Sequence, residues 1–126
     1  MVLVDTSVWL RRFARITPFS EELDRLLRLE QVVGHELVYG ELLIGDRGGR
    51  KVILDDYEQF RKAPIVAHQE LVSFVRGRRL SGCGVGWIDV HLLASALAER
   101  VTLWTADDRL KVLAQELGVA YDFQRA

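Results

Sequence analysis

The sequence is poor in the residues that staple or interrupt a chain. One cysteine, Cys83, among 126 residues excludes an internal disulfide framework and any multi-cysteine zinc site. Two prolines, Pro18 and Pro64, leave no proline-rich linker that would divide the chain. No apolar run approaches the roughly 18 residues of a membrane span, so no membrane association is expected. Nor is a secretory leader expected, because Asp5 interrupts the apolar start and Arg11 and Arg12 follow it rather than precede it. Neither sign of charge is in excess: 17 bases stand against 18 acids, a formal net charge of −1. That balance argues against a polybasic nucleic-acid binder and against an acidic disordered tail. Lysine is scarce, since only Lys51, Lys62 and Lys111 are not arginine among the bases. Genome composition explains such a bias, and so does phosphate recognition by the guanidinium fork. What is present is 49% apolar residues, enough at this length to bury a core. The expectation is a single cytoplasmic domain spanning residues 1–126.

Apolar runs and helical spacing alternate along the chain. Val2-Leu3-Val4-Asp5 reads as a short buried strand ending on a carboxylate, and Thr6 to about Arg15 as a helix with Val8, Trp9 and Phe13 on one side. Thr17-Pro18 signals a helix start, with Leu23, Leu26 and Leu27 at helical spacing behind it. Gln31-Val32-Val33 offers a second short strand. Helices are expected over His35–Ile44, Lys51–Lys62, His68–Arg79 and Trp87–Glu99. The β-branched and aromatic run Val101-Thr102-Leu103-Trp104-Thr105 is the clearest strand. A helix over Asp107–Leu117 is closed by Gly118, and Val119-Ala120-Tyr121 could form a last strand. Short apolar strands alternating with amphipathic helices predict a three-layer α/β/α fold around a short, mostly parallel sheet. In such folds the ligand site lies beyond the carboxyl ends of the strands.

Several carboxylates stand where solvation does not explain them. Asp5 ends the first strand, and Asp107 and Asp108 follow the Val101 strand. Asp89 shares its helical face with Leu92, Leu93 and Ala96, and Glu41 lies between Leu37-Val38 and Ile44. Glu36 points roughly 140° away from Glu41 on a helix and cannot serve the same site. An acid on an apolar stripe costs several kcal/mol, or as much in pKa shift, unless it has a partner. Each has an ordinary reading when taken singly. Asp5 or Asp107 would make a helix N-cap, Asp89 would favour the positive end of a helix dipole, and Glu41 would sit at the rim of an imperfect stripe. Together they suggest a shared pocket, because no lysine or arginine falls on those stripes. Four converging carboxylates repel unless a cation joins them, and all-oxygen ligation selects Mg²⁺ or Mn²⁺ over zinc. His35, His68 and His91 show no metal-ligand spacing and read as structural or surface residues. Trp9, Trp87 and Trp104 lie in apolar contexts and are expected in the core rather than stacked on bases. The Gly82-x-Gly84-x-Gly86 cluster lacks dinucleotide spacing and reads as a flexible lead into the Asp89 helix.

These residues resemble a known pattern. Val2-Leu3-Val4-Asp5-Thr6-Ser7-Val8-Trp9, HELVYGELLIG from His35, GVGWIDVHLLASAL from Gly84 and LWTADDRL from Leu103 are together similar to the PIN-domain ribonucleases. Within them the resemblance is to the VapC toxins of prokaryotic toxin–antitoxin pairs, and it spans essentially the whole chain. It implies a Mg²⁺- or Mn²⁺-dependent endoribonuclease with Asp5, Glu41, Asp89 and Asp107 as the acidic cluster and metal ligands. Asp108, adjacent to Asp107, could share or take the last role. Thr6 and Ser7 would orient Asp5 or a metal-bound water. The resemblance further implies an RNA substrate, with tRNA as a candidate, a cognate antitoxin that blocks the site, and homodimerisation.

Two other functions compete. A haloacid-dehalogenase-like, Mg²⁺-dependent phosphatase also carries an Asp after its first strand, but it wants a second Asp where this chain has Ser7, and a lysine where lysines are scarce. A catalytically silent PIN-like protein-binding module would not need all four acids. With those four set aside, 14 acids remain against 17 bases, so a mildly basic, arginine-biased exterior is expected around an acidic pocket. RNA affinity would then fall with salt, with a log–log slope of about −0.7 per single-strand phosphate contacted.

Overall fold

Apolar side chains on both faces of each strand force the strands into the middle of the molecule. The computed structural model describes residues 1–123, and its strands are β1 (Val2–Val4), β2 (Val32–Val33) and β3 (Thr102–Trp104). They form a parallel sheet in the order β2-β1-β3. The register pairs Leu3 with Val33 on one side and with Leu103 on the other, and Val4 with Trp104. Leu3 and Val4 are fully buried. A parallel sheet needs helical crossovers, which cover its faces and give the expected three-layer α/β/α architecture. The helices are α1 (Thr6–Phe13), α2 (Phe19–Arg28), α3 (Glu36–Ile44), α4 (Lys51–Glu58), α5 (His68–Gly77), α6 (Trp87–Glu99) and α7 (Asp108–Glu116). Residues 124–126 of the expected domain lie outside the described residues.

The core follows the helical stripes. Val8 and Trp9 of α1, Leu23 and Leu26 of α2, and Leu92, Leu93 and Ala96 of α6 are buried against the sheet. Each fully buried leucine contributes about 1.5–3 kcal/mol over an exposed one. A smaller cluster of Leu71, Val90 and Ala94 joins α5 to α6. His35, the N-cap of α3, ties several elements together. Its Nδ1 accepts from the Leu37 N–H at 3.1 Å, which leaves Nε2–H to donate to Ser95 Oγ at 3.0 Å. Ser95 in turn donates to the Pro64 carbonyl, and the His35 N–H donates to the Tyr57 hydroxyl. His35 is thus the structural histidine expected, and burial pushes its pKa down to about 4.

The structure shortens several expected elements. Pro18 is the N-cap of α2 rather than its first residue. The expected last strand at Val119–Tyr121 is reduced to a single bridge between Leu103 and Ala120. The pairing there consists of two bonds, the Leu103 N–H to the Val119 carbonyl and the Tyr121 N–H to the Leu103 carbonyl, while the Tyr121 ring packs on Trp104 and its hydroxyl donates to Glu22. Helix α1 stops at Phe13, α4 at Glu58 and α5 at Gly77, each short of the expected end.

Candidate active site

The carboxyl end of the sheet places Asp5. Its N–H continues the β1–β3 ladder by donating to the Trp104 carbonyl at 2.9 Å, and its carbonyl accepts the first bonds of α1. Asp5 therefore occupies the N-cap position of α1, yet its side chain caps nothing. The carboxylate, 5% exposed, instead accepts from Ser7 Oγ at 2.7 Å and from Thr105 Oγ1 at 2.8 Å, both at Oδ2. Both hydroxyls are themselves held by the loop after β3. The Ala106 N–H donates to Ser7 Oγ and the Asp107 N–H to Thr105 Oγ1, each at 3.0 Å. Asp5 is gripped by a network with little rotational freedom.

The other acids arrive from three further elements. Glu41, in the middle of α3, accepts from Thr6 Oγ1 at 2.7 Å through Oε1. Thr6 is thus bonded to Glu41 and not to Asp5, whereas Ser7 is bonded to Asp5. Glu36 is exposed on the other side of α3. Asp89, in the first turn of α6, accepts from the Gly86 N–H at 3.3 Å through Oδ2. Asp107 is the N-cap of α7 and accepts from the Leu110 N–H at 3.0 Å through Oδ1. Each acid spends one oxygen on the protein, and no hydrogen bond among the described residues engages the second.

The four share one electrostatic environment. Asp89 has its pKa raised, first by burial and then by the charges of Asp5, Asp107 and Glu41, against the opposing pull of the Gly86 N–H. Asp107 contributes to the field at Asp89. Asp108 lines a separate cleft of about 210 Å³ with Phe19, Lys111 and Tyr121. Among the described residues no ion pair involves any of the four, so nothing there neutralises them. As the side chains stand, no three His, Cys, Asp or Glu among the described residues come close enough together to hold a metal ion. Asp89 lies within Coulombic range of the other three, and each acid keeps an oxygen free of any hydrogen bond or ion pair among the described residues. That donor set suits a hard divalent ion that keeps several of its waters.

Thr105 is the residue that sequence reasoning missed. The register accounts for it: Val4 pairs with Trp104, which sets Thr105, the residue after β3, beside Asp5. Trp87 is a correction. Trp9 and Trp104 are core residues, but Trp87 is 44% exposed at the start of α6, with its ring against His68 and His91. The first residue of a helix leading out of a glycine loop has no layer above it to cover a large ring. A hollow of about 860 Å³ lies elsewhere, between α1, α2 and α4. There Arg12, Arg15 and Arg50 face Glu21, Asp24 and Asp56, and none of the four carboxylates lines it.

Known proteins are similar to this chain over most of its length. Residues 2–116 match the PIN domain. The Ribonuclease VapC32 of Mycobacterium tuberculosis strain CDC 1551 / Oshkosh is 40% identical over 121 residues, covering 95% of this chain and 95% of its own. The protein of that name from strain ATCC 25618 / H37Rv matches to the same extent. A match along nearly the full length, over a sheet that gathers four acids at its carboxyl end, leaves one conclusion: the chain belongs to the PIN-domain family, as a ribonuclease of the VapC type.

Proposed function

We propose that this chain is a Mg²⁺- or Mn²⁺-dependent endoribonuclease acting as the toxin of a type II toxin–antitoxin pair. The observation that carries the reading is the convergence of Asp5, Glu41, Asp89 and Asp107 from four elements, with no base of the described residues paired to them. Their uncommitted oxygens would hold the ion. A bound divalent ion would supply an acidified water and neutralise phosphate oxygens during hydrolysis of the phosphodiester. The chain's own part is orientation. Ser7 and Thr105 fix Asp5, Thr6 fixes Glu41, and the backbone of Gly86 and Leu110 fixes Asp89 and Asp107. No general-base histidine is needed, and His35 is committed to the core. The substrate would be RNA, with tRNA as the first candidate. A cognate antitoxin would cover the acidic mouth, the active species would be a homodimer, and the setting the cytoplasm.

Membership in the PIN family removes the phosphatase alternative. The silent binding module is separated by turnover. RNA cleavage should appear with Mn²⁺ or Mg²⁺, vanish with EDTA, and be abolished in Asp5→Asn with the melting temperature preserved. Full activity in that variant, or cleavage indifferent to EDTA, would overturn the assignment.

A further inference from the structure

At the rim of the acidic mouth stands a cation that no acid among the described residues has claimed. Arg109 is the second residue of α7, two positions after Asp107. It is exposed and makes no ion pair among those residues, although Asp107 and Asp108 directly precede it. Its guanidinium reaches instead to the loop before α6, where Nη1 donates to the Gly84 carbonyl at 3.4 Å. The loop is shaped around it. Gly84 has φ +88°, and a Cβ there would stand 3.0 Å from Nη1 and 3.1 Å from Cδ of Arg109. Two residues on, the Gly86 N–H holds Asp89. Arg109 thus bridges the segments that carry Asp107 and Asp89.

Helix stability does not call for this residue. The first turn of a helix disfavours a cation, because the amide dipoles already place positive charge there. The Gly84 bond is long and uses one of the five guanidinium donors, leaving the rest of the fork open to solvent. A planar fork at the edge of a carboxylate cluster matches a phosphate that must approach that cluster against repulsion. We propose that Arg109 is a substrate-binding residue that grips an RNA phosphate adjacent to the one cleaved. The proposal rests on the ribonuclease reading above.

The test compares wild type with Arg109→Gln and Arg109→Lys in Mn²⁺-dependent cleavage of a fluorescein-labelled single-stranded RNA. Equilibrium binding of the same RNA is followed in the Asp5→Asn background across a salt series. Arg109→Gln should raise KM about tenfold, the scale of one charge-assisted bond, while leaving kcat within about twofold. In the binding series it should make the log–log salt slope shallower by about 0.7, one phosphate fewer. Arg109→Lys should keep the slope and recover part of the affinity, since it restores the charge without the fork. An unchanged KM and slope in Arg109→Gln, beside an active wild type, overturns the proposal and leaves the ribonuclease reading standing. A fall in kcat at constant KM overturns it too, and makes Arg109 a strap for the Gly84 loop. A wild type that neither cleaves nor binds RNA overturns both.

Discussion

Thr105 donates its hydroxyl to the Asp5 carboxylate at 2.8 Å across 100 residues of sequence, the side-chain link between the end of β3 and the candidate active site. The parallel register puts the two side by side, and the Asp107 N–H holds the hydroxyl from behind. Thr105→Val keeps the shape and removes the donor. It should lower RNA cleavage by about 10- to 100-fold while costing about 2 kcal/mol of stability, the net worth of the two hydrogen bonds its hydroxyl makes with Asp5 and the Asp107 N–H. Thr105→Ser should restore most of the activity. Single-turnover cleavage alongside thermal melts makes the comparison, and a fully active Thr105→Val variant would show that Asp5 needs only Ser7.

Asp89 bears the cost of the acidic cluster. Burial and three neighbouring carboxylates raise its pKa, so its charged form destabilises the metal-free fold at neutral pH. Asp89→Asn keeps an acceptor for the Gly86 N–H and removes the charge. In EDTA it should melt a few degrees higher than wild type, about 1 kcal/mol for a domain of this size. In Mn²⁺ wild type should melt higher than in EDTA and the variant should lose that rise, since stabilisation by a ligand follows its affinity. A variant that melts lower in EDTA and still responds to Mn²⁺ contradicts both statements.

His35 makes the fold sensitive to acid. Its pKa falls from the ordinary 6.5 to about 4 in the folded state, chiefly through burial and then through the charge of His91. The unfolded chain therefore binds the proton first. Stability should decline as pH drops from about 6.5 towards 4 and level off below that, by at most about 3 kcal/mol. His35→Asn should lower stability at pH 7, because the Ser95 and Leu37 bonds are disturbed, and should flatten the decline. Urea melts at pH 7 and pH 5 measure both. An identical pH slope in the variant would place the acid sensitivity in another group.

Four helices close on a left-handed residue that is not glycine: Arg15, Glu30, Arg79 and Arg100, at φ between 54° and 57°. Each has the same pair of closing bonds, such as Ile16 N–H to the Arg11 carbonyl and Arg15 N–H to the Arg12 carbonyl after α1. A side chain in that region is strained, and glycine relieves it. Glu30→Gly and Arg79→Gly, both at exposed positions, should each raise stability by about 0.5–1 kcal/mol. Chemical denaturation midpoints report the effect, and two destabilised variants would count against the strain.

Those same closures explain where the sequence was hard to read. The ends of α1 and α5 were expected at Arg15 and Arg79, because arginine carries no stop signal, whereas Gly118 did mark the end of α7. Periodicity made the helical stripes and the apolar strands legible, since burial on a sheet demands them at fixed spacing. Asp5, Glu41 and Asp89 stood out for the complementary reason, as acids at positions where solvation does not readily explain them, whereas the exposed Asp107 stood out only by its place after β3.

What the sequence by itself determined was therefore the alternation of strands and helices, the acids at the strand ends and on the apolar stripes, and the family those motifs resemble. All of these depend on spacing within one element. Only the tertiary structure decided that Thr105 holds Asp5, that Thr6 serves Glu41, that Asp108 turns to another cleft, that Trp87 stays at the surface and that Arg109 overhangs Gly84. Each of these depends on which elements lie side by side. Parallel pairing and helix packing set that through contacts between residues far apart in the chain, which no local pattern encodes.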